Sequence, residues 1–473
     1  MSVRIEKDTL GPVELPADAL YGAQTARAVA NFPISGLKPF PYFVRATILI
    51  KKSAALANMA TGRLSSEIGN AIVLAANEAL LGQHSSQFVV DPFQAGAGTS
   101  HNMNVNEVLA NRAGELLGAA RGSGRVNPND HVNMAQSTND VIPTAIRLAS
   151  LEMLLHLVPE LERLRDALAR KGEEFDGILK SGRTHLQDAV PIRLGQEFAA
   201  HAVAVDRVIR GLDACRADLY ELGLGGTAVG TGLNAEERYI DLAVAELARM
   251  TGLPLIRTRD LVETTFNMDP FVALSGALRR VAVVLVKLSG DLRLLASGPR
   301  TGFDEITLPA VQPGSSIMPG KVNPVMAEMI SMVGFQVMGA DTTVMLAAQA
   351  GQLELNVMMP VIAFNLIFAM EILTNGVERL TSLAIDGITA NEARCRKYLD
   401  DSLGLVTIFA PYIGYAAAAE VAKESAKTGR SIRAIVLERR HLSEEEIDTI
   451  LDPFPLTSPG VPGSGKVRKR SEP

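Results

Sequence analysis

Between Leu274 and Leu295, seven branched apolar residues recur at alternating spacings of four and three: Leu274, Leu278, Val281, Leu285, Leu288, Leu292 and Leu295. Such a repeat fits one stripe of a long bundle helix, not a strand, whose side chains alternate with a period of two. The other side is not polar either, since it carries Val272, Val283, Val284, Val286 and Leu294. A helix apolar nearly all round must be buried on several sides. Helices of the same chain would do this, and so would helices of neighbouring subunits; periodicity leaves both open. More helical stretches flank it. Leu148, Leu151, Leu155, Val158, Leu161 and Leu168 mark one, with Pro159 a possible break. Phe198, Val205, Ile209 and Leu212 mark another, a third runs from Pro324 through Met329, Ile330 and Val333, and a fourth covers Val361 to Leu383. Glycine-rich loops, Gly223–Gly232 and Gly298–Gly320, punctuate them. The expected fold class is mainly α, with a central bundle of long helices.

Composition narrows the function classes. With 473 residues, roughly three domains of about 150 residues are expected. Apolar residues at 47% and charged residues at 21% supply a core and exclude a disordered chain. Forty-six basic against 52 acidic residues give a net charge of −6, which argues against a nucleic-acid partner. Two cysteines, Cys215 and Cys395, are too few for a disulfide framework or a zinc cluster and point to a reducing compartment. Charges at Arg4, Glu6, Lys7 and Asp8 are unlike a signal peptide. The nearest approach to a membrane-spanning run, around Val281–Leu288, is flanked or interrupted by Arg279, Arg280, Lys287 and Asp291. A cytoplasmic protein with no membrane partner is therefore expected.

The ends read differently from the middle. The first section mixes short helices with loops such as Asp91–Gly98 and Gly122–Asp130. Near the other end, Ser443 and Glu446 form a capping box, with Leu442 and Ile447 as its hydrophobic staple. Thr457 to Pro473 is expected to fray. Two nucleotide-like motifs fail on context. Gly460 to Lys466 begins a phosphate loop but Val467 replaces the required hydroxyl residue, and Gly223-Leu224-Gly225-Gly226 is read as following a helix rather than a strand.

Four stretches concentrate small polar residues: Gly96–Asn104, Ser137-Thr138-Asn139-Asp140, Gly182–Asp188 and Gly314–Pro324. Singly, each reads as a cap, a structural histidine or a turn. Together, hydroxyls, amides, a helix N-terminus and one lysine form a donor set suited to a small dicarboxylate. No His/Asp/Glu cluster with metal spacing accompanies them, so neither metal nor cofactor is expected.

The loop Gly314-Ser315-Ser316-Ile317-Met318-Pro319-Gly320-Lys321-Val322-Asn323-Pro324, with the other three stretches in the same order, resembles the aspartase/fumarase superfamily. The resemblance spans nearly the whole chain. Thr99-Ser100, Asp188-Ala189-Val190-Pro191 and Gln352–Met358 are more similar to the aspartase branch than to the class II fumarases. The resemblance implies three domains (1–138, 139–393 and 394–473) and a homotetramer with a twenty-helix bundle. Each active site would be shared by three subunits. It implies reversible deamination of L-aspartate to fumarate and ammonia, through proton removal and an enediolate. Fumarate hydration is the alternative within the superfamily. A lyase of larger amino adducts and a silent scaffold protein are more distant readings.

By that resemblance Thr99, Ser137, Thr138 and Ser316 cradle the carboxylate that gains charge. Thr184, Lys321 and Asn323 hold the other carboxylate, and Asn139 and His185 contact the amino group. Ser315 matches the general base, and Glu328 the partner that orients His185. Departures are His101 after Thr99-Ser100, Phe266-Asn267-Met268, Met359 and Ile408-Phe409-Ala410-Pro411. His101 would add charge if it lay near the substrate.

Overall fold

The computed structural model describes residues 2–94 and 96–468. Eighteen α-helices lie among the described residues, against four two-stranded sheets, so the class is mainly α as expected. Five helices are long: Thr138–Glu174, Leu194–Ala214, Asp269–Leu295, Val325–Gln349 and Met359–Leu383. The chain divides into two compact units. One comprises Met1–Pro159, Val208–Ala282 and Val333–Thr374; the other comprises Glu160–Arg207, Val283–Met332 and Asn375–Pro473. Each long helix begins in one unit and ends in the other.

The heptad-like stripe is buried as its spacing predicts except at Leu295, which is half-buried, but the other apolar face is not covered within the chain: Val283 is 53% and Leu294 40% exposed. Leu274, Leu278, Val281, Leu285, Leu288 and Leu292 are all buried within the single chain. Two sequence expectations change here. Pro159 does not break its helix, which runs unbroken over 37 residues with Pro143 and Pro159 inside. Fully buried Leu154, Leu157, Leu161 and Leu164 hold the segment, and their packing outweighs one lost hydrogen bond. Three helices are also long and apolar enough to cross a membrane by length and composition: Thr138–Glu174, Val325–Gln349 and Met359–Gly387. Reading for uninterrupted apolar runs missed them because a few charges interrupt each. In the first, 83% of the apolar window is buried inside the protein, in the second only 39%.

In the first unit, Val3–Asp8 and Gly11–Pro16 pair as an antiparallel hairpin. The helices that follow are longer than the sequence reading of this section: Pro41–Ala60, Ser66–Leu80 and Thr99–Leu116. Proline at the first turn starts one, and the Ser65 side chain caps the next by accepting the Ile68 N–H. Leu20, Ile48, Ile72, Leu109 and Val132 belong to their shared core. The same unit holds the Gly223–Gly226 loop. The expected helical segment, Arg216–Tyr220, is present, but a two-residue strand, Glu221–Leu222, comes between it and the loop and pairs in parallel with Ile256–Arg257.

In the second unit, Leu179–Thr184 and Gln187–Arg193 form an antiparallel hairpin. Short helices from Glu392 to Leu456 build a core around Leu405, Phe409, Val421, Ile435 and Ile447. The Ser443–Glu446 capping box is present, with Leu442 and Ile447 buried beside it. Part of the stretch expected to fray is held: Tyr412 Oη donates to the Pro462 carbonyl, and Val467 joins this core. Residues 469–473 lie outside the described residues.

Candidate active site

Thr99, Ser137, Thr138 and Asn139 belong to the first unit. Gly98 has φ +98°, and a Cβ on it would stand 2.8 Å from Ile142 Cγ1. Only glycine allows that approach, which brings the N-terminus of the Thr99–Leu116 helix against that of the Thr138–Glu174 helix. Thr99 Oγ1 lies 3.1 Å from Thr138 Oγ1 and 2.6 Å from the Gly96 carbonyl. Thr138 Oγ1 also accepts from Asn102 Nδ2 at 3.3 Å. Ser137 Oγ accepts the Asn139 N–H at 3.2 Å, and Asn139 Nδ2 donates to the Ala228 carbonyl at 2.7 Å. Two adjacent helix N-termini, with an exposed hydroxyl at Thr99 and half-buried ones at Ser137 and Thr138, make a surface that favours an anion.

A buried ionic layer supports these groups, and sequence reading gave it no role. Asp140 accepts backbone N–H groups of Ser137, Gly225 and Thr227, each at 3.0 Å. Burial nevertheless pushes its carboxyl up to about 6. The Gly225 and Thr227 amides, which could have faced a phosphate, are thus occupied by Asp140. Lys51 is fully buried, and its Nζ donates to Asn133 Oδ1 and Gln136 Oε1, each at 2.9 Å. Burial lowers it to about 7. The available signal was a lysine inside the apolar run Thr47–Ala57.

His101 does not reach the cradle. It is 2% exposed, stacks on Phe43 with ring centroids 4.3 Å apart, and sits 3.0 Å from Thr47 Oγ1. Thr47 gives its one hydroxyl proton to the Phe43 carbonyl at 2.9 Å. The imidazole must therefore be the donor, through Nε2–H. Burial, with help from the Lys51 charge, lowers it to about 3, so it is neutral at pH 7 and adds no charge near a substrate.

Thr184, His185, Ser315, Ser316, Lys321, Asn323 and Glu328 belong to the second unit. Thr184 pairs with Gln187, leaving His185 and Leu186 as a two-residue turn with φ 55° and 58°. Such a turn suits glycine or asparagine, and a leucine in it is strained. The result is an exposed histidine at a hairpin tip. The Gly314–Pro324 loop closes on itself: Gly314 N–H donates to the Lys321 carbonyl at 2.8 Å and Asn323 Nδ2 to the Gly314 carbonyl at 2.6 Å. A Cβ on Gly314 would stand 2.4 Å from that Lys321 oxygen. Inside the loop, Ser315 Oγ accepts the N–H groups of Ile317 at 3.2 Å and Met318 at 3.1 Å. A cavity of about 470 Å³ is lined by this loop, Ser315 and Lys321 included.

Thr184, His185, Ser316 and Lys321 have no side-chain hydrogen bond or ion pair among the described residues, and neither has Glu328. The His185–Glu328 pair is thus not formed within the single chain. Among the described residues no group of three or more His, Cys, Asp or Glu is placed to hold a metal ion. Of the other departures, Met268 and Met359 are buried while Phe266 is partly exposed.

A family model described as "Lyase" matches residues 11–339, and one described as "Fumarase C C-terminus" matches residues 405–458. An aspartate ammonia-lyase of Bacillus subtilis is 50% identical over 467 residues, covering 98% of each chain. One of Escherichia coli is 48% identical and covers 97% of each. Among solved structures, a fumarate lyase:delta crystallin from Brucella melitensis superposes with TM-score 0.94 at 47% identity. It covers 97% of this chain and all of that one. A class II fumarase from Schistosoma mansoni, with the same coverage, gives 0.92 at 37% identity.

Proposed function

The chain belongs to the lyase family that contains the aspartases and class II fumarases, and from that membership we propose that it deaminates L-aspartate reversibly to fumarate and ammonia. The observation that carries the mechanism is Ser315 Oγ receiving two backbone N–H groups in a closed glycine-bounded loop. A serine hydroxyl is a weak base because its alkoxide is unstable in water. Two preorganised N–H donors, with the Lys321 charge in the same loop, stabilise that alkoxide. With its own proton given up to solvent, the Ser315 alkoxide then takes the proton from the carbon beside the carboxylate. The carboxylate becomes an enediolate with a second negative charge, which Thr99, Ser137, Thr138 and Ser316 receive, aided by paired helix N-termini. Thr184, Lys321 and Asn323 hold the other carboxylate. Asn139 and His185 contact the amino group, with Glu328 orienting the imidazole, and ammonia leaves as the double bond forms.

The active unit is a homotetramer whose sites draw residues from three subunits. Supporting this, the Val325–Gln349 helix leaves Met332, Phe335, Met345 and Leu346 49–63% exposed, a large apolar face for a single chain. The side chains of His185 and Lys321 likewise have no hydrogen bond or ion pair among the described residues. The domain reading 1–138, 139–393 and 394–473 fits separate N- and C-terminal cores. Free Cys215 and Cys395 suit a cytoplasmic location.

The test is to incubate purified protein with L-aspartate or L-malate and follow fumarate by ultraviolet absorbance. Fumarate from aspartate alone is expected. Fumarate from malate alone would overturn the reading in favour of hydration. Ser315→Ala should nearly abolish turnover with the assembly intact; full turnover would remove Ser315 as the base.

A further inference from the structure

Arg183 stands two residues before His185, at the base of the hairpin tip. Its Nη1 donates to both oxygens of Glu305, at 2.9 and 3.0 Å. Its guanidinium lies 4.2 Å from the centre of the Phe303 ring and 5.4 Å from that of Tyr398. Glu305 is fully buried, and its backbone is pinned on both sides: its N–H donates to the Leu295 carbonyl and its carbonyl accepts the Asn391 N–H, each at 2.9 Å. Lys180 Nζ lies 3.1 Å from the same carboxylate and also donates to Glu197 Oε1 at 2.8 Å.

Two cations three apart on one strand should point to opposite faces. Here both reach Glu305, where the pairing of the hairpin is not regular. Its register shifts between Ser181, paired with Pro191, and Arg183, paired with Asp188. Gly182 stands opposite that bulge, which lies on the returning strand at Ala189 and Val190, and a Cβ on it would come within 2.5 Å of the Val190 carbonyl. A bulge adds local twist and re-aims side chains. Among the described residues the strained turn beyond it has no side-chain anchor at Thr184 or His185; it is held at its base by Arg183 on one strand and, on the other, by Asp188 Oδ2 accepting the Leu403 N–H at 3.4 Å, the longer contact.

We propose that the Arg183–Glu305 pair, set by the bulge opposite Gly182, is a positioning device for His185. It fixes the direction in which the hairpin presents the imidazole to the substrate's amino group. Arg183 and Glu305 touch no substrate; they act through His185. The inference rests on the reading of His185 given above.

A double-mutant cycle on the full-length oligomer tests it. Arg183→Lys keeps the charge but loses the planar guanidinium that stacks on Phe303 and Tyr398 while reaching Glu305. It should lower kcat/KM by about 10²-fold, the scale of an ångström-size misplacement. Combined with His185→Ala it should lower activity little further than His185→Ala alone, since coupled residues are not additive. Gly182→Ala, which disturbs the bulge without touching charge, should show the same dependence and decides the matter if Arg183→Lys fails to assemble. A folded variant with unchanged kcat/KM overturns the proposal. So does an equal fold-loss in the presence and absence of the imidazole, which is what a merely structural role predicts. Full activity of His185→Ala alone would instead overturn the reading of His185 itself.

Discussion

Acidification should destabilise this protein through His101, a residue that takes no part in the proposed chemistry. The free imidazole titrates at 6.5, and in the fold it is lowered to about 3. Between those values the unfolded chain holds a proton that the folded chain does not, so stability falls as pH falls. Below about pH 3 both states are protonated and the loss is complete. From pH 7 to pH 5 the linkage amounts to about 2 kcal/mol for one such histidine. Asp140 works in the opposite sense. Its carboxyl is raised to about 6, so the folded state regains a proton first and gains about 1 kcal/mol over the same interval. The two are separated by a variant. His101→Phe keeps the stack on Phe43 and removes the titrating group. Urea unfolding at pH 7 and pH 5, at one protein concentration, should show the wild type losing about 2 kcal/mol more than the variant. Equal losses in the two proteins, or a titration of His101 near 6.5, would refute the placement of this imidazole in a dry site. Deamination at pH 7 should be nearly unchanged in the variant.

Two further outcomes follow from burial. Cys395 is fully buried and its thiol is pushed up to about 12, so in native protein it should resist a thiol reagent that reacts once urea is added; prompt labelling in buffer would contradict its environment. Phe335, exposed on the Val325–Gln349 helix, is expected to lie in the core of the proposed tetramer. Phe335→Glu should therefore yield smaller species by light scattering with helical content retained, whereas an intact tetramer would move the interface elsewhere.

Legibility in the sequence followed the range of each interaction. The 274–295 stripe and the Ser443 capping box were readable because their partners lie within one or two helical turns, or on the same helix face. The four polar stretches were readable for their chemistry, each being a short run of donors. Pro159 misled because the local rule counts a lost hydrogen bond and cannot see the leucines packed around it. His101 misled because its position after Thr99-Ser100 says nothing of the helix face it occupies against Phe43 and Thr47.

Period, capping and donor content are properties of neighbouring residues, and they were enough to establish a mainly helical chain and the kind of ligand its polar loops suit. Other features join residues 82 to 122 positions apart: Asp140 with Gly225 and Thr227, Lys51 with Asn133, and Arg183 with Glu305. No local pattern encodes such pairs. They exist because packing the apolar stripes brings those segments together and leaves each buried charge only the partners that arrive with it. Which helix keeps an apolar face exposed was decided the same way. Val325–Gln349 and Asp269–Leu295 are both apolar, and only the packed chain shows that the stripe of the second is already covered while much of the first is not.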